Sequence, residues 1–180
     1  MRIQREQSIG LVIDIQERLF PVMYGRDEFL ERCLLLLRGL QILDIPVLLT
    51  EQYPEGLGPT LEPVREVLST YAPIPKVAFS CCDEPAFMDP LVQSDRKNVI
   101  ILGMEAHVCV LQTTVDLLER GYMPVLVWDC IRSRNPADRD LALERSRQEG
   151  ALISSSESVL FEILRKAGSE EFKAISRLVK

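Results

Sequence analysis

The sequence predicts one α/β domain built on a parallel sheet of about six strands with helices on both faces. Three observations carry this. Short apolar runs without polar alternation recur along the chain, as strands buried on both faces require. Segments with helical spacing separate them, the order expected of strand-helix-strand units. With 180 residues, 47% of them hydrophobic, the chain can bury one substantial core but not two comfortable ones, so residues 1–180 are read as a single domain.

The apolar runs are "IGLVID" (9–14), "IPVLLT" (45–50), "KVAFS" (76–80), "NVIILG" (98–103), "PVLVWD" (124–129) and a weaker "ALIS" (151–154). Between the first two lies "DEFLERCLLLLRGLQIL" (27–43), whose Phe29, Leu30, Cys33, Leu34, Leu37, Leu40 and Ile42 form a broad apolar face. A second helix is predicted over 107–122, with Val108, Leu111, Val115 and Leu118 inward and Gly121 as its stop. A third runs over 135–150, where Asn135 caps, Pro136 takes the first position and Gly150 ends the helix. Two more are predicted over 156–167, with Ser156 as the cap, and over 170–179. In the common strand order 3-2-1-4-5-6, ligands bind outside the carboxyl ends of strands 1 and 4. Asp14 ends the first strand and "GMEAHVCV" (103–110) follows the fourth. The Pro/Gly-rich loop "TEQYPEGLGPTLEP" (50–63) leaves the second strand at the same rim and is a candidate pocket wall.

Composition narrows the classes. A net charge of −6 offers no footprint for nucleic acid or an anionic membrane. No apolar stretch approaches the ~20 residues of a membrane span, and residues 1–16 lack a signal-peptide pattern. Five cysteines, an odd number in a chain that needs no staples, point to reduced thiols and a cytoplasmic location. There is no CxxC pair, and the single histidine cannot anchor a His-rich zinc site, so no metal or cofactor is expected. The first strand is followed by "DIQERLF" and not by GxGxxG, which argues against dinucleotide binding.

Three residues have both a bland and a chemical reading. Asp14 is either the cap of "DIQE", with Glu17 reaching back, or a carboxylate held in the crevice. Lys76 is either a solvated strand start or a charge partner for Asp14. Cys109 is either a packed thiol or a nucleophile in the first turn of a helix, where free N–H groups and the dipole favour a thiolate. Together they form a chemical set. Asp14 would take the thiol proton, Lys76 would hold Asp14 ionised, and the N–H of Cys109 with another from the same turn would stabilise an oxyanion. His107 lies about 200° from Cys109 on a helix, so it is read as a wall or packing residue and not as the base. Arg132 and Arg134 either meet an anionic substrate group or brace the loop through Asp129 or Asp138, and bracing is the preferred reading. Cys81 and Cys82 are read as pocket lining or core, Cys33 and Cys130 as packing.

Asp14 in "LVIDIQ", Lys76 in "PKVAFS" and Cys109 in "GMEAHVCV", in this order and spacing, resemble the isochorismatase-like family of cysteine hydrolases. The resemblance runs from about residue 8 to the last helix and takes in "IPVLLTEQYPEGLGPT", "LQTTVDLLERGY" and "SESVLFEIL". It is nearest a widespread subgroup whose members mostly lack an assigned substrate. It implies a three-layer α/β/α, Rossmann-like fold, a catalytic triad at Asp14, Lys76 and Cys109, and frequent homo-oligomers. It also implies a cis peptide at Met104–Glu105 and oxyanion donors at the N–H groups of Glu105 and Cys109. Gln16, Tyr53, His107 and Arg134 are assigned to substrate binding. Family members that cleave the vinyl ether of isochorismate lack the nucleophilic cysteine. Its presence here favours acyl or amidine chemistry through a thioester-like intermediate. Nicotinamidases of the family carry a metal site of Asp and His residues after strand 2, and "TEQYPEGLGPT" has no histidine.

The expected function is therefore hydrolysis of a C–N bond in a small molecule, with Cys109 labelled ahead of the other thiols at mildly acidic pH. The alternative is a weak or inactive family member acting as an oligomeric interaction protein. Self-association is expected from the apolar side chains of the C-terminal helices, Val159, Leu160, Ile163, Leu164, Phe172, Ile175 and Leu178.

Overall fold

Residues 2–180 are described by the structure, a computed structural model. Six strands form one parallel sheet in the order β3-β2-β1-β4-β5-β6. They are β1 (Ser8–Ile13), β2 (Val47–Gln52), β3 (Ile74–Lys76), β4 (Asn98–Met104), β5 (Met123–Arg132) and β6 (Leu152–Ser154). The predicted topology is the observed one. β1 and β4 are buried along their whole length and alternate between two cores. Val12, Ile100 and Leu102 pack on one face of the sheet, while Leu11, Ile13, Val99 and Ile101 pack on the other. This is why neither run shows a polar period.

On the first face lie α1 (Arg26–Ile42), α3 (Glu62–Val67), α7 (Ser156–Leu164) and α8 (Glu170–Leu178); the one-turn α2 (Pro54–Leu57) sits in the loop after β2. The second face carries α4 (Pro85–Gln93), α5 (Leu111–Glu119) and α6 (Pro136–Glu149). Asn135 caps α6 by accepting the Ala137 N–H, and Gly150 ends it in the left-handed region, both as predicted.

Several elements differ from the sequence reading. Lys76 ends β3 and does not begin it, because β3 pairs with β2 through Ile74–Lys76 alone. α4 is an additional helix in the proline-rich 85–93 segment, with Pro85 in its first turn and Pro90 inside it. Ser155, not Ser156, caps α7. Ser156 instead donates to Asp129 Oδ2, while its N–H donates to Oδ1, so Asp129 is spent on that helix start. The segment after β4 opens with a single π turn at Ala106–Val110 before α5. The wider turn rotates the helix, so Ala106, Cys109, Val110, Thr113, Thr114 and Leu117 face inward. Val108, Leu111, Val115 and Leu118, predicted inward, are only half-buried.

The C-terminal apolar residues do not form a surplus face. Val159, Leu160, Ile163 and Ile175 are buried in the chain's own core, with Phe161, Leu164 and Val179 packed against it. Exposed apolar side chains lie elsewhere, notably Val22 and Tyr24 after β1, and Tyr53, Val77 and Phe79 after β2 and β3.

Candidate active site

The carboxyl ends of β1, β2, β3 and β4 bring Asp14, Lys76 and Cys109 together. At residue 103 the β4 backbone presses against β1. A Cβ on Gly103, whose φ is +135°, would lie 2.1 Å from the Ile13 carbonyl oxygen. Only glycine permits that approach. It sets the turn carrying Cys109 beside Asp14, which leaves β1 at a φ of +54°, a conformation that aspartate tolerates. The Met104–Glu105 peptide is cis, as the resemblance implies.

Asp14 is not a helix cap. Its Oδ2 accepts from Lys76 Nζ at 2.8 Å and its Oδ1 accepts from Thr50 Oγ1 at 2.8 Å. Both charged side chains are fully buried. Lys76 Nζ also donates to Gln52 Oε1 at 2.6 Å and to the carbonyls of Ala78 and Phe79 at 3.3 and 3.2 Å. Burial alone would lower the lysine pKa, yet the Asp14 carboxylate in contact counters this and the lysine pKa lies above its ordinary value. The pairing with Asp14 favours the ammonium form.

The Cys109 thiol is pushed well up, by burial first and by the Asp14 charge second, and Lys76 offsets only part of this. The low-pKa thiolate expected from the sequence is not what this environment supports. Although Cys109 lies in the first turn of a helix that continues through α5, desolvation and the Asp14 carboxylate outweigh the helix dipole. The environment favours the thiol form of Cys109, with the Asp14 carboxylate in hydrogen-bonding contact with it. Cys81 lies behind the pair, its thiol donating to Thr50 Oγ1 at 3.8 Å, and burial pushes it up to about 11.

A cleft of about 130 Å³ opens onto Cys109, walled by Leu19, Leu57, Phe79, Met104 and Val108, with Gln52 and Glu105 as its polar members. The sequence reading did not single out Thr50 or Gln52. Their signal was "LLTEQ", two polar side chains two residues apart where a buried strand ends, and hence on one face of the sheet.

Of the residues assigned to substrate binding, none lines this cleft. Gln16 is fully buried and braces the loop. Its Nε2 donates to the carbonyls of Gln52 and Gly58 at 3.0 and 2.7 Å, and its Oε1 accepts the Gln52 N–H at 2.8 Å. Tyr53, 53% exposed, lines an adjacent groove of about 400 Å³ with Pro54, Glu55, Val77 and Glu84. His107 Nδ1 lies 3.0 Å from Ser133 Oγ, outside the cleft lining despite its assignment to substrate binding. Arg134 pairs with Glu105 through Nε at 3.0 Å, with its side chain 62% exposed. Arg132 braces the β5 bulge by donating to the Trp128, Asp129 and Ile131 carbonyls. Among the described residues no cluster of three His, Cys, Asp or Glu side chains is arranged to hold a metal ion. No described helix is long and apolar enough to cross a membrane.

Fold and site define a doubly wound α/β protein of the hydrolase type, with a cysteine, a carboxylate and an ammonium at its topological switch point. Residues 8–158 match the Isochorismatase domain, and the chain belongs to the isochorismatase family. It is 37% identical over 180 residues to isochorismatase domain-containing protein 2A of Mus musculus, covering 99% of this chain and 85% of that protein. A structure described as MAR1 ribonuclease from Caenorhabditis elegans superposes with a TM-score of 0.93 at 38% identity, covering 99% of this chain and 92% of that one. YcaC from Pseudomonas aeruginosa, solved with hexane-2,5-diol and covalent acrylamide, gives a TM-score of 0.91 at 27% identity, covering 97% and 89%.

Proposed function

We propose that this chain hydrolyses a C–N bond of a small amide or ureide by covalent cysteine catalysis. The observation that carries the reading is the fully buried Lys76–Asp14 pair set against the one thiol that borders the cleft. Cys109 Sγ attacks the carbonyl carbon while its proton passes to Asp14, and the C=O electron pair moves to oxygen. The N–H groups of Glu105 and Cys109 hold that oxyanion. Collapse breaks the C–N bond, and the Asp14 proton goes to the leaving nitrogen. Asp14 then takes a proton from water, whose oxygen attacks the thioester; the C–S bond breaks and the proton returns to sulfur. Lys76 stays charged throughout and offsets the negative charge that moves between Asp14 and Cys109. The covalent acrylamide on P. aeruginosa YcaC supports a reactive nucleophile on this fold.

An RNA substrate, which the description of the C. elegans structure would imply, is disfavoured here by the net charge of −6, by Glu105 in the cleft lining and by Glu55 and Glu84 in the groove that Tyr53 lines. Five free thiols support a reducing, cytoplasmic setting. The exposed Tyr53, Val77 and Phe79 support self-association, which light scattering would read as a mass above the 20.5 kDa monomer.

The test is ammonia release from a panel of short amides and ureides, with mass spectrometry of acid-quenched protein. An acyl adduct on Cys109, with turnover lost in Cys109→Ala and Asp14→Asn, is the expected result. Turnover that survives in Cys109→Ala, or RNA cleavage dependent on Cys109 without amide hydrolysis, would overturn the reading.

A further inference from the structure

The cleft lining includes one acidic residue whose side chain the proposed chemistry does not use. Glu105 contributes its backbone to the oxyanion turn and is one of the residues lining the cleft, with only 11% of its side chain exposed. Both of its protein partners, the N–H and the Nε of Arg134, donate to Oε2, at 3.2 and 3.0 Å. No described residue donates to Oε1. One oxygen is anchored on Arg134, and the other is an acceptor without a described donor on a residue that lines the cleft together with Cys109.

The cleft offers no compensating cation. Lys76 is turned inward onto Asp14 and has no exposed surface. The Arg134 guanidinium is held outside the cleft lining. Arg18 on the loop after β1 donates to the Gly56 carbonyl at 2.6 Å, and Glu17 on the same loop faces Arg65 at 4.0 Å. The remaining walls are apolar, apart from the Gln52 amide, whose oxygen is taken by Lys76 and whose nitrogen donates to the Val77 carbonyl. A carboxylate entering this space would lose its hydration and meet Glu105, whose charge the exposed Arg134 offsets only in part, with no cation in the cleft lining to pair it.

We propose that the Glu105 carboxylate selects the substrate class: a short, uncharged acyl group presenting an N–H donor to Oε1, with carboxylate-bearing amides excluded. The cleft is small, about 130 Å³ against about 400 Å³ for the adjacent groove, which favours a small acyl group at the sulfur. This rests on Cys109 being the nucleophile of the proposed hydrolase, and it adds which molecules reach that sulfur.

Two alkylating reagents of nearly equal size, iodoacetamide and iodoacetate, test it without any need for turnover. In each case the sulfur–carbon bond forms as iodide leaves. The labelling rate of Cys109 is measured by peptide mass spectrometry for each reagent, and their ratio is divided by the same ratio for free glutathione. The wild-type protein should prefer the uncharged reagent by about tenfold, the effect of one unit charge across a partly solvated cleft. Glu105→Gln should bring the ratio close to that of glutathione. Arg134→Ala, at an exposed position, should enlarge it by freeing the carboxylate from its counter-charge. A wild-type ratio equal to that of glutathione, or a preference undiminished in Glu105→Gln and unmoved in Arg134→Ala, would overturn the role of Glu105. Failure of Cys109 to react with either reagent would instead overturn the nucleophile assignment, and the selection with it.

Discussion

Lys76 Nζ lies 2.8 Å from Asp14 Oδ2, and neither side chain has any exposed surface. A fully desolvated pair of this kind is poor value as a stabilising device, since well-packed apolar residues generally do as well. It persists here with each group's remaining hydrogen-bonding capacity met: Thr50 donates to Asp14, and Gln52, Ala78 and Phe79 accept from Lys76. What the pair supplies is a carboxylate and a positive field at fixed positions next to a thiol.

Removing one partner should therefore be costly. Lys76→Met should lower the unfolding free energy by about 3–5 kcal/mol, because it leaves a buried carboxylate unpaired. Adding Asp14→Asn to that variant should recover part of the loss. Urea denaturation of the wild type, the two single variants and the double variant reads this directly. Lys76→Met within 1 kcal/mol of wild type would mean that the pair is solvated in solution.

The thiol state is open to a spectroscopic check. Because burial and Asp14 raise the Cys109 pKa, the ultraviolet thiolate absorbance that Cys109→Ala removes should be absent at neutral pH and appear only in alkaline solution. In Asp14→Asn, which removes a raising charge, the thiolate should form at lower pH. In Lys76→Met, which removes a lowering one, it should form at higher pH. A thiolate signal from Cys109 already complete at pH 6 would contradict this arrangement.

Gly103 joins stability to the site. Alanine there would place its Cβ 2.1 Å from the Ile13 carbonyl oxygen, at a φ of +135°. The β1–β4 pairing must give way. Gly103→Ala should cost more than about 3 kcal/mol, a large effect tied to a strained position. It should also slow Cys109 alkylation even where the protein remains folded, since Asp14 and the Cys109 turn flank this contact. A thermal melt and a labelling time course on the same sample test both parts, and an unchanged labelling rate in folded Gly103→Ala would show that the contact does not position the thiol.

The order of elements and the place of the crevice were legible in the sequence, because strands buried on both faces read as unbroken apolar runs and helix boundaries carry their own chemistry. Asn135-Pro136 and Gly150 mark α6 whatever the rest of the chain does. The three residues at the switch point were visible for a related reason: Asp14 interrupts an apolar run, and a buried charge implies a partner. Other features depended on neighbours far along the chain. The depth of burial around Cys109, which decides thiol against thiolate, comes from strands and loops that converge only on folding. Gln16, placed like a ligand contact, spends its amide on Gln52 and Gly58, 36 and 42 residues away. The π turn after β4 rotates the α5 face away from the one its periodicity indicates. Local sequence determined which elements form and where chemistry is concentrated. Tertiary structure decided which polar groups face the cleft and which are already paired, because hydrogen-bond partners and desolvation are set by packing and not by position in the chain.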